Sequence, residues 1–355
     1  MEKNFLKLVI FSFSIIVSSS CNKSDTPQQI LSPKQETQQV STLAGSTQGF
    51  ADGSGATAQF SSPTGVAIDA SGNVYVADTG SHKIRKISPA GVVTTLAGST
   101  QGFADGTSTT AQFDTPNGVA VDAFGNVYVA DTENQKIRKI SPTGSVTTLA
   151  GSTLGFAEGT STVAQFHLPY SLAVDANGNV FVADIGNDRI RKINPFGVVT
   201  TFAGGTQGFA DGTGTSAQFD RPFSVALDAS GNMYVADRNN NKIRKISPGA
   251  VVTTLAGSTL GFADGSSATS RFYFPHGVAV DASGNVYVAD RDNHSIRKIS
   301  PTGVVSTLAG GTRGFADGIG TASQFDYPSS VAVDNSGNVY VADQFNNKIR
   351  KIIKN

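Results

Sequence analysis

Along most of the chain, short apolar runs alternate with turn residues at a fixed spacing. In the first copy of the pattern, Gly65 to Ile68 (GVAI) is followed by the turn Asp69-Ala70-Ser71-Gly72-Asn73 and then by Val74 to Ala77 (VYVA). Next come Lys83 to Ile87 (KIRKI), the turn Ser88-Pro89-Ala90-Gly91, and Val92 to Leu96 (VVTTL). The runs are rich in β-branched residues, and the turns carry the Gly, Pro, Asn and Asp that tight turns require. These four runs predict four short antiparallel strands, a, b, c and d. No stretch has a convincing helical period.

The pattern is an internal repeat, and internal repeats decide architecture before other features do. The aspartate closing strand b recurs at Asp78, Asp131, Asp184, Asp237, Asp290 and Asp343, always at an interval of 53. The glycine of an Ala-Gly pair recurs at Gly45, Gly98, Gly151, Gly204, Gly257 and Gly310, at the same interval. Four strands repeated six times predict an all-β fold, a six-bladed β-propeller. The phase of the chain supports closure of the ring. The first run, Val40 to Leu43, is a strand d with no a, b or c before it, and the last copy stops at Ile353 after strand c. The N-terminal strand is therefore expected to complete the last blade. An open solenoid, the rival arrangement, would leave sheet edges unpaired and would not account for this phase.

The repeat unit resembles the NHL repeat. The segment P-x-G-V-A-V-D-x-x-G-N-V-Y-V-A-D-x-x-N-x-x-I-R-K is carried well by Pro275 to Lys298, and the resemblance covers residues 40–353. It implies a six-bladed propeller that acts mainly as a binding platform. A few relatives are lyases, and lactonases share a similar fold.

The N-terminus carries a different signal. Lys3 and Lys7 precede the apolar run Leu8 to Val17. That run is too short to cross a bilayer but suits the core of a signal peptide. Ser18, Ser19 and Ser20 lead to Cys21, the single cysteine of the chain. The segment resembles a bacterial lipoprotein signal, with Ser18 where an aliphatic residue is usual, and this implies lipidation at Cys21. An ordinary secretory signal is the alternative. The expected organisation is a signal peptide at 1–20, a polar tether at 21–39 and the propeller at 40–353. The expected location is the cell envelope, anchored by lipid to the outer membrane or cell surface.

Composition narrows the function. Of 355 residues only 15% are charged, with 27 basic and 27 acidic. That balance gives no argument for nucleic-acid binding. One cysteine excludes an internal disulfide framework, and four histidines make a histidine-rich metal centre unexpected. Most charges occupy fixed repeat positions. The Asp78 set is expected to pair with an Arg of strand c in the same or the next blade. The d–a loop holds two repeated aromatics, Phe50 and Phe60 in the first copy, expected to plug the loop onto its blade. The same loop repeats an acidic residue at Asp52, Asp105, Glu158, Asp211, Asp264 and Asp317. Turn capping is the first reading of this set and a calcium ligand the second, since calcium requires six to eight oxygens. No other cofactor is expected.

The informative positions are those where the copies differ. The a–b and c–d turns are nearly uniform. The b–c turns read TGSH, TENQ, IGND, RNNN, RDNH and QFNN, and the end of the d–a loop also varies. Because strands alternate in direction, both variable connections fall on one face. The residue after the loop proline is expected to ring the mouth of the central channel, as Thr64, Asn117, Tyr170, Phe223, His276 and Ser329. Tyr170, Phe223 and His276 on consecutive blades form an aromatic arc, with His167, Leu168, Arg221, Phe274 and Tyr327 beside it and Asn117 in the same ring. Such a set suits a protein, peptide or glycan of the envelope or extracellular space. The alternative is a lactonase- or lyase-like enzyme with its site at the channel mouth. No catalytic constellation can be assigned residue by residue, and the expected function is binding or scaffolding.

Overall fold

A computed structural model describes residues 38–354. The expected signal peptide, Cys21 and residues 21–37 of the expected tether lie outside the described residues. Six antiparallel sheets follow one another along the chain. In blade 1, strand a is Pro63–Ile68, b is Val74–Asp78, c is Lys83–Ile87 and d is Val92–Ala97. Blades 2 to 5 repeat this order, starting at Pro116, Pro169, Pro222 and Pro275. Blade 6 takes a, b and c from Pro328–Val333, Val339–Asp343 and Lys348–Lys354, and its strand d is Gln38–Ala44. Closure by the N-terminal strand is thus as expected. That strand begins at Gln38, so Gln38 and Gln39 belong to blade 6 and not to a tether. Among the described residues no helix is long and apolar enough to cross a membrane.

The core lies between blades. Each of six apolar clusters joins two neighbours, such as Ala67, Tyr75 and Ala77 of blade 1 with Val119, Val127 and Val129 of blade 2. Alternate residues of strands a and b face opposite neighbours, so every sheet is buried on both faces. The long d–a loop travels to the outer rim and pairs there with strand d of the blade it leads into, as Gly53 with Val93 and Gly106 with Val146. The pairing covers an otherwise open edge.

A buried arginine ties each loop to its blade. Arg85 is fully buried, as are its five counterparts. Its Nη1 donates to Asp78 Oδ2 at 2.9 Å and to the carbonyl of Gln59 at 3.0 Å. Its Nη2 donates to the carbonyl of Ala51 at 2.8 Å and to Asp52 Oδ1 at 2.6 Å. The ion pair with the Asp78 set is present in all six blades, within one blade, at 2.6–2.9 Å. The guanidinium is sandwiched between Phe50 at 4.7 Å and Phe60 at 5.2 Å. One expectation changes here. The Phe60 set is fully buried, but the Phe50 set is about half exposed and lids the arginine instead of plugging the loop. The Asp52 set accepts backbone N–H groups and, in five blades, also pairs with the buried arginine. Asp52, Asp105, Asp211, Asp264 and Asp317 each pair with the buried Arg, and Glu158 accepts the Thr201 N–H at 2.8 Å.

The Ala-Gly glycine has a conformational cause. The six sit at φ between 81° and 112°. A Cβ on Gly45 would lie 2.5 Å from the Asn347 carbonyl oxygen, and the other five would meet the equivalent carbonyl. Only glycine satisfies both conditions.

Candidate functional site

The residues that follow the first proline of the six a strands ring one end of the central channel, as the repeat phase predicts. Neighbouring members are joined through backbone carbonyls. Thr64 Oγ1 donates to the Asn117 carbonyl at 2.9 Å, and Ser329 Oγ to the Thr64 carbonyl at 2.8 Å. His276 Nδ1 donates to the Ser329 carbonyl at 2.7 Å. That bond fixes the neutral tautomer with its proton on Nδ1. Burial, reinforced by the positive charge of Arg291, pushes the His276 pKa down to about 3.

Tyr170, Phe223 and His276 form more than an arc. The Tyr170 and Phe223 ring centres are 4.7 Å apart, Phe223 and His276 4.5 Å, and Tyr170 and His276 5.2 Å. Three consecutive blades thus contribute to one aromatic floor across the channel mouth. Below it a cavity of about 50 Å³ is lined by residues 64–66 and their equivalents, and a larger one of about 240 Å³ opens at the other end of the channel. Phe223 and His276 are buried, and Tyr170 is partly exposed. Burial raises the Tyr170 hydroxyl to about 12.

A second tier stands over this floor, and sequence reasoning missed it. It is built by the first residue of each b–c turn: Thr79, Thr132, Ile185, Arg238, Arg291 and Gln344. Thr79 and Thr132 bond to the carbonyls of Pro116 and Pro169, both at 2.7 Å. In blades 4 and 5 the position is arginine. The Arg238 guanidinium lies over Phe223 at 4.9 Å and Phe274 at 4.3 Å. Arg291 lies over Tyr327 at 4.5 Å. The sequence signal was a pair of arginines 53 residues apart in turns treated as variable throughout.

The rest of those turns is structural. The third residue, Asn in five copies, donates to the buried aspartate of strand b, as Asn240 Nδ2 does to Asp237 Oδ2 at 3.0 Å. The fourth accepts a backbone N–H of the next blade in all six, at 2.7–3.2 Å. The N–H donors belong to Ser62, Thr115, Leu168, Arg221, Phe274 and Tyr327, all at φ between 48° and 55°. This bond holds large side chains in a backbone region they usually avoid.

The remaining expected residues divide into two groups. Phe274 packs on Tyr273 at 5.1 Å and on Arg238. Tyr327 meets His294 at 4.6 Å, Phe345 at 5.1 Å and Arg291. Leu168 packs beside Tyr170 on the core between blades 3 and 4, and Arg221 is exposed on the same face. His167 and Asn117 are placed differently. The His167 ring covers Gly186, while the residue's backbone N–H donates to Asp184 Oδ1 at 2.7 Å, and the ring makes no ring contact with the floor. Asn117 is buried, and its Nδ2 donates to Thr132 Oγ1 at 2.9 Å, which makes it part of the ring's framework. On the opposite face, Phe124 and Phe196 are 82% and 90% exposed at turn tips where other copies have smaller residues. Among the described residues no three His, Cys, Asp or Glu side chains are grouped as a metal site requires.

The NHL repeat family model matches residues 60–87, 113–140, 272–299 and 325–350, which are stretches of blades 1, 2, 5 and 6. The chain is 31% identical over 71% of its length to the Arabidopsis thaliana protein SUPPRESSOR OF QUENCHING 1, chloroplastic, of which it covers 26%. It spans a quarter to a half of the length of the curated relatives it first matches. Among solved structures it is similar to a protein of unknown function from Bacteroides thetaiotaomicron VPI-5482 (TM-score 0.70, 24% identity, 90% of this chain and 76% of the other). It is also similar to an auxiliary nutrient binding protein from the same organism (TM-score 0.68, 16% identity, 90% of this chain and 77% of the other). At these identities the likeness is one of fold. Sequence and structure agree on the architecture, and the chain is a six-bladed β-propeller that carries NHL repeats in four of its blades.

Proposed function

We propose that this propeller is a binding module whose ligand docks on the channel-mouth face, over blades 3 to 6. One observation carries the reading. Six copies keep the same scaffold, yet at the mouth they depart from it in adjacent blades to bring Tyr170, Phe223, His276, Phe274 and Tyr327 together with Arg238 and Arg291. Aromatic and arginine side chains clustered at a partly desolvated patch are the usual anchors of recognition. The similar Bacteroides protein described as nutrient-binding favours a binding role for this architecture. The ligand class extends to a protein, peptide or glycan of the envelope or extracellular space. We further propose export and lipid attachment at Cys21, which rests on the N-terminal segment alone.

Crosslinking pull-downs from source cells would compare wild type with a Tyr170→Thr, Phe223→Asn, His276→Ser variant. These are residues other blades carry at the same position, so the fold is expected to persist, and its melting temperature verifies that. Partners captured by wild type and lost by the variant place recognition at the mouth. Identical partner sets would overturn the reading.

A further inference from the structure

The chain contains its own standard for a buried arginine. Each scaffold guanidinium is met by two backbone carbonyls and a buried carboxylate, and in five blades by a second carboxylate. That is what a desolvated guanidinium needs, because a charge leaving water must be paired and hydrogen-bonded. Arg238 and Arg291 fall short of it. Arg238 is half-buried; among the described residues its side chain has no ion pair within 4 Å and makes one hydrogen bond, from Nη1 to Asn239 Oδ1 at 3.1 Å. The Arg291 side chain is 17% exposed. Its contacts are two bonds at 3.5 Å, to Asp292 Oδ2 and to Gln344 Oε1. The Nε–H of both is buried without an acceptor, as it is in the six scaffold arginines, so the shortfall lies at the two Nη groups.

The fold does not require arginine here. Blades 1 and 2 fill the position with threonine and blade 3 with Ile185. Two like charges on adjacent blades, above aromatic rings and near a neutral histidine, disfavour one another. Burial and the charge of Arg291 both lower the Arg238 pKa. Carboxylates of the loops on this face are already engaged. Asp292 serves Arg291 weakly, Asp326 is held by Arg313 at 3.0 Å, and Asp220 takes bonds from Gln207 and Asn239.

We propose that Arg238 and Arg291 form an oxyanion site over the Tyr170–Phe223–His276 floor, for a ligand that carries a carboxylate beside a flat apolar ring face. The inference rests on the binding role proposed above and names the chemistry of its ligand. The guanidinium forks supply in-plane donors suited to a carboxylate. The aromatic floor supplies stacking surface for the attached ring. Asp292 sets a limit on net charge, and a single carboxylate matches the two arginines less that one acid.

Benzoate and its neutral isostere benzamide, titrated against the folded protein by ligand-observed NMR, test this without a variant. Saturable benzoate binding at least tenfold tighter than benzamide binding is expected. An Arg238→Thr, Arg291→Thr variant, carrying the residue of blades 1 and 2, is expected to lose that preference. Equal response to the two probes, no saturable benzoate response, or an unchanged preference in a folded variant would overturn the assignment. Should that happen while the floor variant still loses its partner in the pull-down, the oxyanion inference fails and the binding face stands.

Discussion

His294 Nδ1 accepts the backbone N–H of Tyr327 at 3.2 Å, a bond from blade 5 to blade 6 at the position where Asn241 and Asn347 join other blades. His82 does the same for Thr115 at 3.1 Å. Imidazole accepts at Nδ1 only when neutral, so burial that lowers the His294 pKa and the acceptor role act together. His276, pushed down to about 3, also folds as the neutral form.

The consequence is an acid-sensitive contribution of the histidines to stability. A histidine whose folded pKa is depressed leaves the unfolded chain binding more protons from its ordinary pKa near 6.5 downward. Stability from His276 and His294 is therefore present above about pH 6.5. For His276 it is lost progressively as pH falls toward 3. The buried aspartates Asp131, Asp237, Asp290 and Asp343, raised to about 6 by burial, act in the opposite direction between about pH 4 and 6. A difference measurement removes their contribution. In urea unfolding at pH 7 and pH 4.5, wild type is expected to lose more stability on acidification than a His276→Asn variant, by roughly one to a few kcal/mol. Equal losses would mean that the floor histidine is not held neutral.

The two carboxylates around one arginine should differ widely in weight. Asp131 and Arg138 are both fully buried, while the Asp105 side chain is 48% exposed. Arg138→Met would strand a buried carboxylate and is expected to cost about 3–5 kcal/mol. Asp105→Asn removes the outer partner and should cost about 1 kcal/mol or less. Chemical denaturation of both variants measures this, and similar losses would contradict the assignment.

A glycine pair separates strain from crowding. Gly91 and Gly151 both have positive φ, 80° and 111°, but a Cβ at Gly91 meets nothing within 4 Å. At Gly151 it would overlap the Gln135 carbonyl oxygen. Gly91→Ala should cost about 1 kcal/mol, the penalty of the left-handed backbone alone. Gly151→Ala should cost clearly more, read as a lower melting temperature.

Closure rests on Gln38–Ala44 pairing along Lys348–Lys354, with Val40 fully buried. Removing residues through Ala44 exposes the edge of strand c in blade 6. The expected outcome is aggregation or edge-to-edge association, seen by light scattering. A truncated chain that stayed monomeric and as stable as wild type would show that closure contributes little.

The architecture was legible because it is periodic. The Asp78–Arg85 pairing, the ring closure and the single face shared by the two variable loops all follow from position within a 53-residue unit. What escaped were contacts that depend on where a loop travels. Phe50 looked like a core residue by type, yet the loop lays it over Arg85 at the surface. The b–c turns looked variable as a block. Their third residue is fixed by the buried aspartate, their fourth must accept an N–H, and their first alone looks onto the mouth. That division exists only in three dimensions, and it concealed Arg238 and Arg291. It also left Phe124 and Phe196 unremarked among uniform turns.

The two faces can be compared directly by placing a photo-crosslinking amino acid at Phe345, 47% exposed in the b–c turn of blade 6, or at Phe196 on the opposite face. After irradiation in source cells, a discrete adduct is expected from position 345 and none of that mass from position 196. An adduct from position 196 with none from position 345 would contradict the account and move recognition to the face of Phe124 and Phe196.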